Sequence, residues 1–198
     1  MTPSPTTTRQ PVRRPLLAGL LTLPTAVGLL LAPGSVGAQA RETGPVIREH
    51  GAVFRVGDLD VPVETDRAYR VVFDIYDAPE STSEVNPAVN TPARFLNMHA
   101  HAGVPAARME LALVLHGPAS RATLSHRAYR ERYGVDNPDL PVLEALADAG
   151  ARIYLCGQSA ASRGLLPEEK LAGPVELALS AMTMLVTLQD DGYELIAF

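Results

Sequence analysis

The chain has 198 residues, a formal charge of −5, 46% apolar residues, one Cys and no Trp. That length suits one domain around a single core, and the apolar content argues against disorder. One Cys excludes an internal disulfide framework, a Cys-based zinc cluster and a CxxC redox motif, while the acidic balance argues against the clustered Lys/Arg surface that nucleic acid requires.

Residues 1–40 read as an export leader. Arg9, Arg13 and Arg14 form a positive region without acids, an apolar stretch runs from Leu16 to Ala32, and Ala38-Gln39-Ala40 fits an A-x-A cleavage site. The competing reading is a membrane anchor, but the run falls short of the ~20 residues a span needs and contains Pro24 and Pro33. Arg13-Arg14 before Leu16-Leu17 suggests a twin-arginine signal, with Sec export as the alternative. Removing the three arginines leaves 14 basic against 22 acidic residues, a net charge of −8. The expected mature protein is periplasmic or otherwise exported, with no membrane contact after cleavage. A lone Cys in such a compartment is either buried and inert or used for its sulfur.

Residues 41–68, rich in Gly, Pro and charge, read as an irregular arm, with Val53, Val56, Leu59, Val61 and Val63 offering contacts to a core. The α/β domain is expected over 69–198. Its first strand is Tyr69 to Tyr76, followed by a polar loop from Asp77 to Val85. A helix then starts at Asn86-Pro87 or Thr91-Pro92, since each pair offers an N-cap and Pro at the first helical position; it ends at Gly103. Met109 to Leu115 reads as a strand buried on both faces. Helices are expected at Ala122 to Tyr133 and at Asn137 to Ala149, the second stopped by Gly150. Arg152 to Leu155 is a strand, and a short helix or turn follows to Gly164. Val175 to Leu179 is a strand, Ser180 to Asp190 a helix, and Tyr193 to Phe198 the last strand. Strands separated by helices indicate an α/β fold with a parallel sheet and helices on both faces.

Such sheets bind ligands past the carboxyl ends of their strands, which directs attention to Asp77, His116, Cys156 and Ser180. Cys156 ends a buried strand and precedes Gly157-Gln158-Ser159. A helix starting near Ser159 would aim N–H groups and its dipole at the thiol and favour the thiolate; the alternative is a small buried hydrophobe. His116 could act as a base toward Cys156 if their strands are adjacent, or be satisfied by backbone carbonyls. Gly157 would allow a close approach. Gln158, Ser159, Ser180 and Thr183 form a polar collar that could hold a small polar ligand, with helix capping the competing role for Ser180. His99 and His101 point about 200° apart on a helix and read as a partly exposed face rather than a chelate. His126 reads as solvated, and Glu168-Glu169 and Asp190-Asp191 as loop charges. No HExxH, GxSxG or Walker-type loop is present, and no metal or cofactor is expected.

Three stretches carry a family resemblance. They are Leu113-Val114-Leu115-His116-Gly117-Pro118-Ala119, Ile153-Tyr154-Leu155-Cys156-Gly157-Gln158-Ser159, and Val175 to Thr183 running on to Gly192-Tyr193 and Phe198. Together they resemble the DsrE/DsrF-like family of sulfur-relay proteins, in its exported branch. The resemblance implies a three-layer α/β fold with a five-stranded, mainly parallel sheet of flavodoxin-like topology, assembly into homo-trimers or hexamers, and a Cys, here Cys156, that receives and donates persulfide sulfur. Its partners would be a sulfur donor and an acceptor, each a small molecule or a protein thiol. The second expectation is a non-enzymatic ligand-binding or assembly module in which Cys156 only packs. The apolar run from Ala181 to Leu188 adds to the expectation of self-association.

Overall fold

The computed structural model describes residues 39–165 and 171–197. Residues 1–38 of the expected leader, the Glu168-Glu169 pair and Phe198 lie outside them. Five strands, β1 (Tyr69–Ile75), β2 (Met109–Leu115), β3 (Arg152–Cys156), β4 (Val175–Ala178) and β5 (Glu194–Ala197), form one sheet in the order β4-β3-β2-β1-β5. Every neighbouring pair is parallel. The helices are α1 (Pro87–His101), α2 (His126–Tyr133), α3 (Leu140–Asp148), α4 (Gly157–Ser162) and α5 (Ala181–Asp190), with 3-10 turns at Ala106–Arg108 and Gly117–Thr123.

Strand alternation assigns the two faces. Val71, Phe73, Ile75, Leu111, Leu113, Leu115 and Ile153 pack on one face against Val89, Ala93 and Leu96 of α1 and Val142, Leu143 and Leu146 of α3. On the other, Val72, Ala112, Val114, Tyr154 and Cys156 meet Ala181 and Leu188 of α5 and Tyr193. The apolar run of β2 is therefore buried on both sides, as expected of a central parallel strand. The result is the expected three-layer α/β fold with an all-parallel sheet.

The strand order departs from the 2-1-3-4-5 arrangement of flavodoxin-like sheets. Here β1 to β4 advance in one direction across the sheet, and the connection through α5 returns across the opposite face to place β5 beyond β1. Among the described residues, one face thus carries α1 and α3, and the other carries α5 alone. The outward side of α5 is uncovered: Met182 is 75% and Val186 68% exposed, beside Leu179 at 72%.

Local chemistry sets the helix ends. Asn86 wins over Thr91 as the start of α1, because its Oδ1 accepts from Ala88 N at 2.9 Å while its Nδ2 donates to Asp77 O at 2.7 Å. The expected helix from Ala122 is divided. Leu124 is drawn into the core, and Ser125 caps a new helix by accepting from Ala128 N. His126, at that helix start, is half-buried rather than solvated, with its Nδ1 enclosed. The third helix starts at Leu140 rather than Asn137, whose side chain instead donates to Ala122 O and Leu124 O.

The arm is held by one buried side chain. Asn97 of α1 accepts from Val46 N and Ile47 N, and donates to Ile47 O, His50 O and Gly51 O at 2.9–3.0 Å. Gly51, at φ +69°, passes so close to α1 that a Cβ would lie 2.4 Å from the Ala93 carbonyl carbon. Of the arm positions expected at the core, Val53 is buried and Val63 packs at its margin, whereas Val56, Leu59 and Val61 are exposed. Among the described residues no helix is long and apolar enough to cross a membrane.

Candidate functional site

The carboxyl ends of β1 to β4 carry a row of polar groups on the α5 side of the sheet. Cys156 is the last residue of β3 and the N-cap of α4, with extended backbone (φ −64°, ψ 115°). Strand alternation puts it on the same face as Tyr154, and its register partner is Ala178 at the end of β4. The next residues of β4's chain turn into α5, where Ser180 caps by accepting from Thr183 N at 3.0 Å. Two helix starts therefore converge on one sulfur.

The electrostatics follow from this convergence. Burial pushes the Cys156 thiol up, since a thiolate is poorly solvated there. The N–H and hydroxyl of Ser159 and the N–H groups of Ala181 and Gln158 outweigh it, and the thiol pKa falls below its ordinary value. The residue is 5% exposed and is the only Cys in the chain.

The other expected site residues have definite roles around this thiol. Gly157 lies against β4: a Cβ there would be 2.6 Å from Ala178 O and 3.2 Å from Leu179 O. The close approach that Gly157 allows is thus to its own chain. Gln158 is exposed and donates to Leu179 O at 3.4 Å. Ser159 Oγ accepts from Gly117 N at 2.9 Å, tying the start of α4 to the turn after β2. Ser180 is buried as the cap of α5, and Thr183 Oγ1 lies 2.9 Å from its hydroxyl.

His116 turns the other way. It directly follows β2, next to β3, yet its Nε2 donates to Asp74 Oδ1 of β1 at 2.7 Å, and no hydrogen bond joins it to Cys156. The Tyr76 ring meets the imidazole edge-on, with centroids 5.1 Å apart. Gly117, at φ +54°, lets the Tyr76 ring come within 2.3 Å of where a Cβ would stand. The row thus reads, from β4 to β1, Ser180 and Ala181, Cys156 and Ser159, Gly117 and His116, then Asp74 and Tyr76.

Asp74 and Tyr76 were not foreseen from sequence. The available signal was a lone carboxylate inside Val-Val-Phe-Asp-Ile, on the face that Val72 buries. Asp77, the residue past the strand, is exposed and serves the cap of α1 through its carbonyl. Among the described residues no cluster of His, Cys, Asp or Glu could hold a metal ion.

One solved structure shares this architecture. The protein of unknown function MTH1491 from Methanobacterium thermoautotrophicum is similar in structure at 18% identity, with a TM-score of 0.50 over 66% of this chain and 99% of its own. The ychN protein from E. coli shows 20% identity and a TM-score of 0.47, covering 66% of this chain and 99% of its own. No curated protein matches. The model of the DsrE/DsrF-like family matches residues 71–198, from the middle of β1 to the chain's end, and so takes in every residue of the strand-end row. This chain belongs to the DsrE/DsrF-like family.

Proposed function

We propose that this protein is an exported carrier or transferase of sulfane sulfur that works through Cys156. The observation that carries the reading is the thiol itself, held by the peptide N–H groups of Gln158, Ser159 and Ala181 and by the Ser159 hydroxyl, all favouring the thiolate. The family's association with sulfur relay supports the same chemistry. The thiol first gives its proton to water. The thiolate then attacks the outer sulfur of thiosulfate or a polysulfide, forming a new S–S bond. The donor's S–S bond breaks, and sulfite or a shortened polysulfide leaves with the electron pair. An acceptor thiolate then attacks the outer sulfur of the persulfide and Cys156 leaves as thiolate. The persulfide anion would gain from the same N–H groups. His116, engaged with Asp74, stands in the same strand-end row without acting as the base for the thiol. Export rests on the leader-like residues 1–40.

Homo-oligomerisation belongs to the same reading. Met182 and Val186 of α5, with Leu179 just before its cap, make an exposed apolar patch, and burying it against another copy, in a trimer or hexamer, would remove that area from water.

The test is intact-mass analysis after incubation with thiosulfate or polysulfide. An adduct of about 32 Da, one sulfur atom on the thiolate, is expected in wild type and absent in Cys156→Ser. No adduct with either donor refutes the proposal.

A second reading rests on the 5% exposure of Cys156 within the apolar cluster under α5. In it the residue only packs, and the protein is a ligand-binding or assembly module. Thiol labelling that is slow in the native state and fast after denaturation favours this reading; fast native labelling in mildly acidic buffer favours sulfur transfer.

A further inference from the structure

Two side chains of the strand-end row take no part in forming the thiolate. His116 and Asp74 are each about a quarter exposed, with Nε2 and Oδ1 2.7 Å apart. Cys156 needs no base, because peptide N–H groups and the Ser159 hydroxyl already favour its thiolate. Yet the pair has the form of a base: an imidazole fixed by a carboxylate on one nitrogen and open on the other.

Alternation and register bring this pair beside the sulfur. Asp74 lies two residues after Val72 and His116 two after Val114, so both belong to the sheet face that Cys156 shares. The ladder between β2 and β3 ends at Leu115 and Leu155. His116 and Cys156 are the next residues on these neighbouring chains, which run about 5 Å apart. Just beyond them, Gly117 N donates to Ser159 Oγ at 2.9 Å. That bond occupies a lone pair of the hydroxyl and leaves its hydrogen for the sulfur, tying the turn after His116 to the helix start after Cys156.

The imidazole itself is held in one orientation. A carboxylate only accepts, so the proton of the neutral ring sits on Nε2 and Nδ1 keeps its lone pair. The Tyr76 ring stands edge-on at 5.1 Å between centroids. Nδ1 makes no hydrogen bond among the described residues and is not enclosed. Tyr76, against His116, and Gln158, two residues past Cys156, are exposed, so the row opens to solvent at this level.

We propose that His116, held by Asp74, is the base for the sulfur acceptor, and that the acceptor is a thiol that arrives un-ionised. The inference rests on the sulfur-transfer reading and names the chemistry of its second partner. His116 Nδ1 takes the acceptor's S–H proton, and Asp74 balances the imidazolium. The electron pair left on the acceptor sulfur bonds to the outer sulfur of the Cys156 persulfide, which keeps its own hydrogen. The persulfide S–S bond breaks, Cys156 leaves as thiolate with that pair, and His116 returns its proton to water. An ordinary thiol, with a pKa of about 8.5, is only about 3% ionised at neutral pH, so a base in the site can gain up to about thirtyfold.

The test loads the full chain with polysulfide and follows loss of the ~32 Da adduct, one sulfur atom on the thiolate, by intact mass at neutral pH. Two acceptors are compared: L-cysteine, mostly un-ionised, and thionitrobenzoate, an aromatic thiol already ionised. Only protein carrying the adduct is counted, so incomplete loading does not enter the rates. In His116→Gln the ratio of the cysteine rate to the thionitrobenzoate rate should fall about tenfold or more, within the limit set by thiol ionisation. Asp74→Asn keeps an acceptor for the Nε2 proton but not the charge, and should lower the same ratio by a smaller factor. A merely structural role slows both acceptors alike and leaves the ratio at its wild-type value; that result in either variant overturns the proposal. A folded His116→Gln that takes up no sulfur also overturns it, by placing His116 in the loading step. A wild type that takes up no sulfur overturns the carrier reading and this inference together, whereas normal loading with unchanged ratios overturns this inference alone. If far-UV dichroism shows His116→Gln misfolded, His116→Asn takes its place.

Discussion

Replacing Asp139 by Asn should stabilise the protein at neutral pH and do little in acid. Asp139 precedes α3 and is 2% exposed. Burial drives its pKa up, opposed by the Asn86 N–H, which donates to Oδ1 at 2.6 Å, and by the charge of Arg121; the result is about 6 against an ordinary 3.8. The unfolded chain releases this proton near 3.8, whereas the folded chain keeps it to about 6. Between those values the folded state binds more protons, so this group's contribution is fully present below pH 4 and is lost as pH rises through 6. Carrying the pKa from 3.8 to about 6 corresponds to about 3 kcal/mol lost by neutrality. Asn keeps an oxygen for the Asn86 N–H and carries no charge to bury. Urea denaturation of both proteins at steps between about pH 4 and 7 should therefore show a gap in favour of Asp139→Asn that opens with pH toward about 3 kcal/mol. Other carboxylates cancel in the difference. A gap that does not change with pH, or that closes as pH rises, refutes the reasoning.

Ser159→Ala removes the hydroxyl that favours the Cys156 thiolate. The inflection of iodoacetamide alkylation against pH should move upward; an unmoved inflection means that the backbone N–H groups act alone. Gly157→Ala would drive a Cβ to 2.6 Å from Ala178 O, a backbone atom of the sheet that cannot swing away. A loss of about 1–3 kcal/mol in urea denaturation is expected; wild-type stability would show that β4 is loosely held. Asn97→Ala deprives buried backbone groups of Ile47 and Gly51 of their partners. The expected cost is about 3 kcal/mol, together with faster proteolysis within residues 41–63, and unchanged protease resistance of that segment would contradict the anchoring role assigned to Asn97.

The strand-end residues were legible because their signals are local. A continuous apolar run closed by His-Gly-Pro marks the end of β2, and Ile-Tyr-Leu-Cys-Gly marks the end of β3. Ser180 was readable as a cap from its own position before an apolar helix. Their relationships were not readable. His116 and Cys156 stand on adjacent strands, yet the imidazole faces Asp74, because the carboxylate at that level comes from β1 rather than β3. The Ala181 N–H reaches the thiol only because α5 begins beside β3. Asn97 looks like one polar residue on an amphipathic helix until the arm is folded over it.

Periodicity and chain punctuation by themselves determined the alternation of strands and helices, the single parallel sheet and the position of the sulfur at a strand end, since each depends on contacts between near neighbours in sequence. Strand order, the placement of α5 on the face opposite α1 and α3, and the donors gathered at Cys156 were decided only in three dimensions. Those features join residues tens of positions apart, and no local pattern records which distant group will satisfy a buried charge or hydrogen bond.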